Sequence, residues 1–246
     1  YRRQRQMCIR DRQYMKVKID SDNLRISDKA TICMPFHVRQ DVLEEERLLE
    51  KGAAFGSTRR GIAYAYGDKY MKKTLRMGDL LNLNSIAIKR RLQVILESKN
   101  LIMENVYGQN PLSFDELYNW CESQAEYFRD YICDTGKLLN NAAEAGKNIL
   151  FEAQLGALRD IDYGIYPYTS SSNTIAAYAP IGAGIPQRTP DRVVGVMKAY
   201  STCVGEGPFA AEDAMPEEWN NKLRNAGGEF GAATGRPRRV GPFDAV

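Results

Sequence analysis

KNILFEAQLGALRDIDYGIYPYTSSSNT, residues 147–174, sets a short apolar run against a long loop of glycines, tyrosines and hydroxyls. Lys147 to Phe151 reads as a short interior strand, because a brief apolar run ending in a turn-rich segment suits a strand buried on both faces. RVVGVMKAYSTCV, residues 192–204, reads as a second and longer interior strand, and it runs into the glycine-bearing CVGEGPF. Strands separated by helical stretches predict an α/β fold with a predominantly parallel central sheet flanked by helices. In such folds ligands gather at the loops beyond the carboxyl ends of the strands.

Working outward, MKVKID at 15–20 and NLRISDKATICMPF at 23–36 read as short strands, with turn chemistry from Asp20 to Asn23 between them. DVLEEERLLEKGAA, residues 41–54, spaces Val42, Leu43, Leu48 and Leu49 among charges and reads as a short amphipathic helix that stops near Gly52. From Leu83 to Asn100, Ile88, Leu92, Ile95 and Leu96 fall on one helical face and Lys89, Arg90 and Arg91 on the other. Ser113 with Glu116 predicts a capping box, followed by Leu117, Cys121 and Phe128 at helical spacing; this helix ends near Gly136 or continues to Gly146. Glu217 to Asn225 reads as a helix after Pro216. No internal repeat or low-complexity linker divides the chain.

The 246 residues are 43% hydrophobic, enough for a sizeable core. No run of eighteen apolar residues exists, which excludes a membrane-spanning helix, and no signal peptide is visible. The five cysteines form no CxxC pair, which fits reduced thiols in a cytoplasmic protein. Of the 34 basic and 31 acidic residues, five arginines and one aspartate fall in residues 1–12, so the rest of the chain carries a net charge of −1. Nucleic-acid binding therefore finds no support in the overall charge. YRRQRQMCIRDR lacks any periodicity and resembles translated sequencing-adaptor read-through. Residues 1–12 are set apart as a non-native tail, with a disordered basic tail native to the protein as the alternative, and 13–246 are taken as one partial domain.

Three loops combine glycine, hydroxyls and positive charge. The first holds Ser57, Thr58, Arg59 and Arg60 beside Gly56 and Gly61; the second runs from Thr169 to Thr174. The third, GEFGAATGRPRRVGPFDAV at 228–246, holds Thr234, Arg236, Arg238 and Arg239. Hydroxyls and backbone N–H groups donate to phosphate oxygens, and glycine lets the backbone approach closely. Each loop is therefore a phosphate or carboxylate site, or else a solvated turn. His37, the sole histidine, ends a strand-like apolar run and reads as structural. Asp160 and Asp162 read as loop-fixing residues, and Tyr163, Tyr166 and Tyr168 as core rather than rim.

GSTRRGIAYAYGDKY, ILFEAQLGALRDIDYGIYPYTSSSNT, VMKAYSTCVGEGPF and EFGAATGRPRRVGPFDAV, in this order from Met15 to the last residue, resemble the adenylosuccinate synthetase family. The resemblance implies a P-loop-NTPase-like synthetase fold, cytoplasmic and homodimeric. It also implies a ligation in which GTP activates O6 of IMP and the amine of L-aspartate displaces phosphate. It places IMP at Thr58, Gln154, Ser170 and Arg236. Lys72 stands for an arginine that reaches across the dimer into the partner's IMP site. Aspartate falls to Ala233, Thr234 and Arg236, with Ala233 where a threonine is common, and the GTP phosphates fall to Arg238. The resemblance covers the middle of the family's length. It implies that the glycine-rich phosphate loop, the catalytic aspartate that binds Mg²⁺, the catalytic histidine and the guanine site are absent. His37 does not match that histidine. The resemblance thus assigns no catalytic and no metal-binding residue, and it implies a fragment inactive on its own. A non-catalytic nucleotide- or anion-binding module that kept the IMP and aspartate loops is the alternative.

Overall fold

The computed structural model describes residues 18–153, 155–231 and 235–243. The tail at 1–12 and the first half of MKVKID lie outside them, as do Gln154, Ala233 and Thr234. The chain divides into two compact units: Tyr1–Gln40 with Gly61–Glu152 and Ala179–Thr189, and Asp41–Arg60 with Ala153–Tyr178 and Pro190–Val246.

In the first unit, β1 (Ile26–Ser27) pairs in parallel with β2 (Ile132–Cys133), Ile26 opposite Ile132. Around this ladder come the start of α1 (Pro35–Glu50), then α2 (Ile62–Met71), α3 (Ile86–Tyr107) and α4 (Phe114–Phe128). α5 (Thr135–Glu144) and the short α6 (Ala179–Ala183) follow. The capping box forms as expected: Glu116 N–H donates to Ser113 Oγ at 3.1 Å, and Ser113 N–H to Glu116 Oε2 at 2.9 Å. Leu117, Cys121, Ala125 and Phe128 then bury one stripe of α4, while Leu92, Ile95, Leu96 and Met103 do so on α3. Each fully buried leucine of this kind contributes roughly 1.5–3 kcal/mol. Burial also pushes the Cys121 thiol up to about 12, leaving it an inert packing group.

Several boundaries differ from the sequence reading, for local reasons. α1 begins six residues before Asp41, at Pro35, a residue whose fixed φ and missing N–H suit the first helical position. His37 therefore sits in the first turn of a helix rather than at the end of a strand. α4 stops at Phe128, and a 3₁₀ turn and β2 intervene before Asp134 caps α5, so the helix does not run on to Gly136 or Gly146.

His37 is fully buried and its partners define its tautomer. Met34 N–H donates to Nδ1 at 2.9 Å, so the Nε2–H points to Asp68 Oδ2, also 2.9 Å away. Lys99 Nζ lies 2.7 Å from the same carboxylate oxygen. Burial holds His37 below its ordinary pKa, and the Asp68 hydrogen bond only partly opposes that. The structural role read for His37 is thus met by a neutral imidazole beside an Asp–Lys pair.

In the second unit, β3 (Ser201–Cys203) runs antiparallel to β4 (Arg239–Gly241), with Thr202 opposite the fully buried Val240. α7 (Glu217–Ala226) matches the expected helix. Gly241 is required by close approach: a Cβ there would lie 2.1 Å from the carbonyl oxygen of Ala211. The two long apolar runs behave otherwise than expected. Lys147 to Phe151 joins no ladder, and Leu150 is 93% exposed; of RVVGVMKAYSTCV only Ser201–Cys203 forms a strand, and Val196 is 96% exposed. A strand exists only by pairing, and neither residues 147–151 nor residues 192–200 form a ladder with another described segment.

Candidate functional site

The three hydroxyl- and glycine-rich loops lie in the second unit, apart from Gly61, and acidic side chains of α1 anchor the first of them. Gly56 N–H and Ser57 N–H both donate to Glu45 Oε1, at 2.7 and 3.0 Å, and Ser57 Oγ donates to Asp41 Oδ1 at 2.6 Å. Asp41 and Glu45 are one helical turn apart, so one face of α1 holds two successive residues of the loop. Thr58 follows immediately, exposed, with no side-chain hydrogen bond to a described residue.

Gly56 brings this loop against two others. It has φ +73°, and a Cβ on it would stand 2.9 Å from Gly205 Cα and 3.0 Å from Arg236 Nη1. Only glycine fits both the left-handed backbone and the space. Arg236 Nη2 donates to Glu206 Oε1 at 2.6 Å, with both side chains nearly half exposed. An exposed pair of this kind contributes at most about 1 kcal/mol, and it helps to orient Arg236.

The loop at 156–175 is organised by Asp160, whose side chain is enclosed. Its Oδ1 accepts from the N–H groups of Asp162 and Tyr163, and its Oδ2 from those of Thr174 and Ile175. Burial works to raise the Asp160 pKa, but these donors outweigh it and hold the carboxyl below the usual carboxylate range. Asp162 receives Asn173 Nδ2 at 2.6 Å, so both aspartates fix the loop, as read from the sequence. Ser170 N–H donates to the carbonyl of Arg159 at 2.8 Å, while its hydroxyl meets only that of Ser172, at 3.3 Å. Arg159 also bonds the Tyr168 carbonyl and Cys203 Sγ, tying the loop to β3. The tyrosines are not core: Tyr163 and Tyr166 are about three-quarters exposed, and half-buried Tyr168 lies over Gly207.

The arginines of the third loop have distinct surroundings. Arg239 grips Glu212 through Nε at 2.6 Å and donates to the carbonyls of Gly205 and Gly207, and the Glu212 hydrogen bond raises its pKa further. Arg238 instead faces Glu229, Nη1 to Oε2 at 3.2 Å. Glu229 is 4% exposed and also accepts from Lys198 Nζ and Tyr200 Oη, each at 2.6 Å. Burial raises its pKa, but the Lys198 and Tyr200 hydrogen bonds, with the charges of Lys198 and Arg238, bring it below the ordinary value. Asp41, Glu45 and Glu229 escaped the sequence reading. For Lys198 and Tyr200 a signal existed, since residues two apart in an extended segment share a face.

The structure therefore brings together the loop of Thr58, Glu206 and Arg236, and it ties the loop of Ser170 to β3 and to Gly207. Lys72 belongs to the other unit. It closes α2 in the left-handed conformation, φ 62°, with its N–H on the carbonyls of Asp68 and Lys69. Among the described residues no His, Cys, Asp and Glu cluster could hold a metal ion, and no helix is long and apolar enough to cross a membrane.

Short strands with flanking helices define an α/β synthetase fold, present here in incomplete form. The family model for adenylosuccinate synthetase matches residues 9–246, so the chain belongs to the adenylosuccinate synthetase family. Adenylosuccinate synthetase of Heliobacterium modesticaldum is 44% identical over 98% of this chain and 55% of its own length. That of Carboxydothermus hydrogenoformans is 45% identical over 93% and 52%. The fully ligated adenylosuccinate synthetase from Plasmodium falciparum superimposes with a TM-score of 0.81 at 33% identity, covering 91% of this chain and 51% of that one. The chain spans about half the length of the curated relatives it matches.

Proposed function

We propose that this chain supplies the IMP- and aspartate-binding middle of a cytoplasmic, homodimeric ligase that makes adenylosuccinate for AMP biosynthesis. The reading rests on family membership and on one observation: Arg236 lies beside Gly56, in the loop that presents the uncommitted Thr58.

In the proposed reaction the γ-phosphoryl group of GTP passes to O6 of IMP and creates a phosphate leaving group. The aspartate amine then attacks C6 and expels it. The roles for this chain are to bind and orient. Thr58 and Ser170 donate hydroxyl hydrogens to the IMP phosphate, with Gln154 as a further IMP contact. Arg236 offers its planar fork to the aspartate carboxylate and reaches the ribose, while Ala233 and Thr234 line the aspartate site. Arg238 faces the GTP phosphates. Lys72 contributes an ammonium to the partner's IMP site, without the fork an arginine would bring. Mg²⁺ would neutralise phosphate charge in such a reaction, but the described residues do not fit it: they gather no cluster of metal-ligating side chains.

The test is Arg236→Ala in a synthetase of the relatives' full length that carries this region. The Michaelis constant for aspartate should rise by about tenfold or more, the loss of one charge-assisted fork. An unchanged value refutes the assignment.

A further inference from the structure

Glu229 has no role in the reading above, yet it is among the most thoroughly engaged carboxylates of the second unit. It accepts from Lys198, Tyr200 and Arg238, and its backbone carbonyl accepts the Arg238 N–H at 2.9 Å. Arg224 adds to the frame: its carbonyl accepts the Glu229 N–H at 2.8 Å, and its Nε donates to the Arg238 carbonyl at 2.7 Å. The backbone of Arg238 is thus pinned on both sides of its Cα, and its side chain is gripped by a single prong, Nη1.

The other edge of that guanidinium is unused. Arg238 Nε is buried, and among the described residues neither Nε nor Nη2 meets an acceptor. Buried donors are almost always satisfied, and the Nε–Nη2 edge is the one that receives two oxygens of a carboxylate or phosphate side by side. The cluster also has unbalanced charge, since Lys198 and Arg238 face the one carboxylate of Glu229. Tyr200 cannot offset this: its hydrogen bond to Glu229 raises its pKa and keeps it a neutral donor.

We infer that Glu229 is a positioning residue: by holding Nη1 it turns the Nε–Nη2 edge of Arg238 toward an anionic oxygen, with Lys198 and Tyr200 fixing the carboxylate in turn. The inference rests on the assignment of Arg238 to the GTP phosphates. Glu229 acts on that ligand only through Arg238. Gln in its place keeps the volume and one acceptor but loses the charge, and its amide hydrogens oppose either Arg238 or the Lys198–Tyr200 pair.

The experiment compares Glu229→Gln, Arg238→Ala and the double variant in a synthetase of the relatives' full length, with GTP, IMP and aspartate varied separately. Glu229→Gln should raise the Michaelis constant for GTP by about tenfold and leave that for IMP within about twofold. The double variant should be no worse toward GTP than Arg238→Ala alone, the signature of one residue acting through the other. Glu229→Gln without effect on GTP, while Arg238→Ala weakens it, overturns the positioning role and leaves the Arg238 assignment standing. Losses that multiply in the double variant, or that fall equally on all three substrates, also overturn it. Arg238→Ala without effect removes the assignment itself.

Discussion

His37 donates from Nε2 to Asp68 Oδ2 across 2.9 Å with both side chains closed to solvent, and Lys99 completes the cluster on the same carboxylate. The imidazole is held neutral because burial lowers its pKa below the ordinary 6.5. A folded-state pKa below the unfolded value means that the unfolded chain takes up the proton first. The stability due to neutral His37 is then complete above pH 6.5 and is lost progressively as pH falls from 6.5 toward the lowered value. Urea midpoints measured at about pH 7.5 and about pH 5.5 should show this decline. His37→Gln should start lower by about 1–3 kcal/mol and fall less steeply over that interval. An identical slope in the variant would rule out His37 as its source.

Gly56→Ala tests the meeting of the first and third loops. The left-handed backbone alone costs an alanine roughly 1–2 kcal/mol, and its Cβ would press on Gly205 Cα and Arg236 Nη1. Destabilisation of at least that size is expected, together with weaker aspartate binding through the displaced Arg236. Normal aspartate kinetics in a destabilised variant would show that the contact is purely structural.

Asp160→Asn replaces a four-acceptor carboxylate with a group that points an NH₂ at backbone N–H donors. Limited proteolysis should then cut between Asp162 and Asn173, and the IMP constant should rise through Ser170. Protection equal to the parent would mean that the loop holds its shape without Asp160.

Arg239→Lys separates bracing from ligand binding. One ammonium cannot reach Glu212 and the carbonyls of Gly205 and Gly207 together. A loss of about 1 kcal/mol is expected, with substrate constants unchanged within about twofold. A selective rise for any one substrate would make Arg239 part of the binding surface instead.

What could be read in advance was what is local. The Ser113–Glu116 box and the stripe of Leu92, Ile95 and Leu96 depend on residues within two turns of each other, and both form. Asp160 was legible as a loop-fixing residue because its acceptors serve neighbours in the same loop. Leu150 and Val196 misled because apolar character signals only the wish to be covered, whereas a strand also needs a partner in register. Glu229 was missed because its ligands lie 31 and 29 residues upstream, at Lys198 and Tyr200, and nothing in a linear string joins them. The three arginines of the third loop look alike in sequence, yet each meets a different carboxylate: Glu206, Glu229 and Glu212.

Lys72 ends α2 with a left-handed φ of 62°, a backbone that glycine would adopt freely. Holding a side chain there costs roughly 1 kcal/mol, so heat tolerance and the role proposed for the Lys72 ammonium pull in opposite directions at this residue. A campaign that selected only for thermal robustness would accept Lys72→Gly early, and would discard a positive charge without any warning from the melting curve.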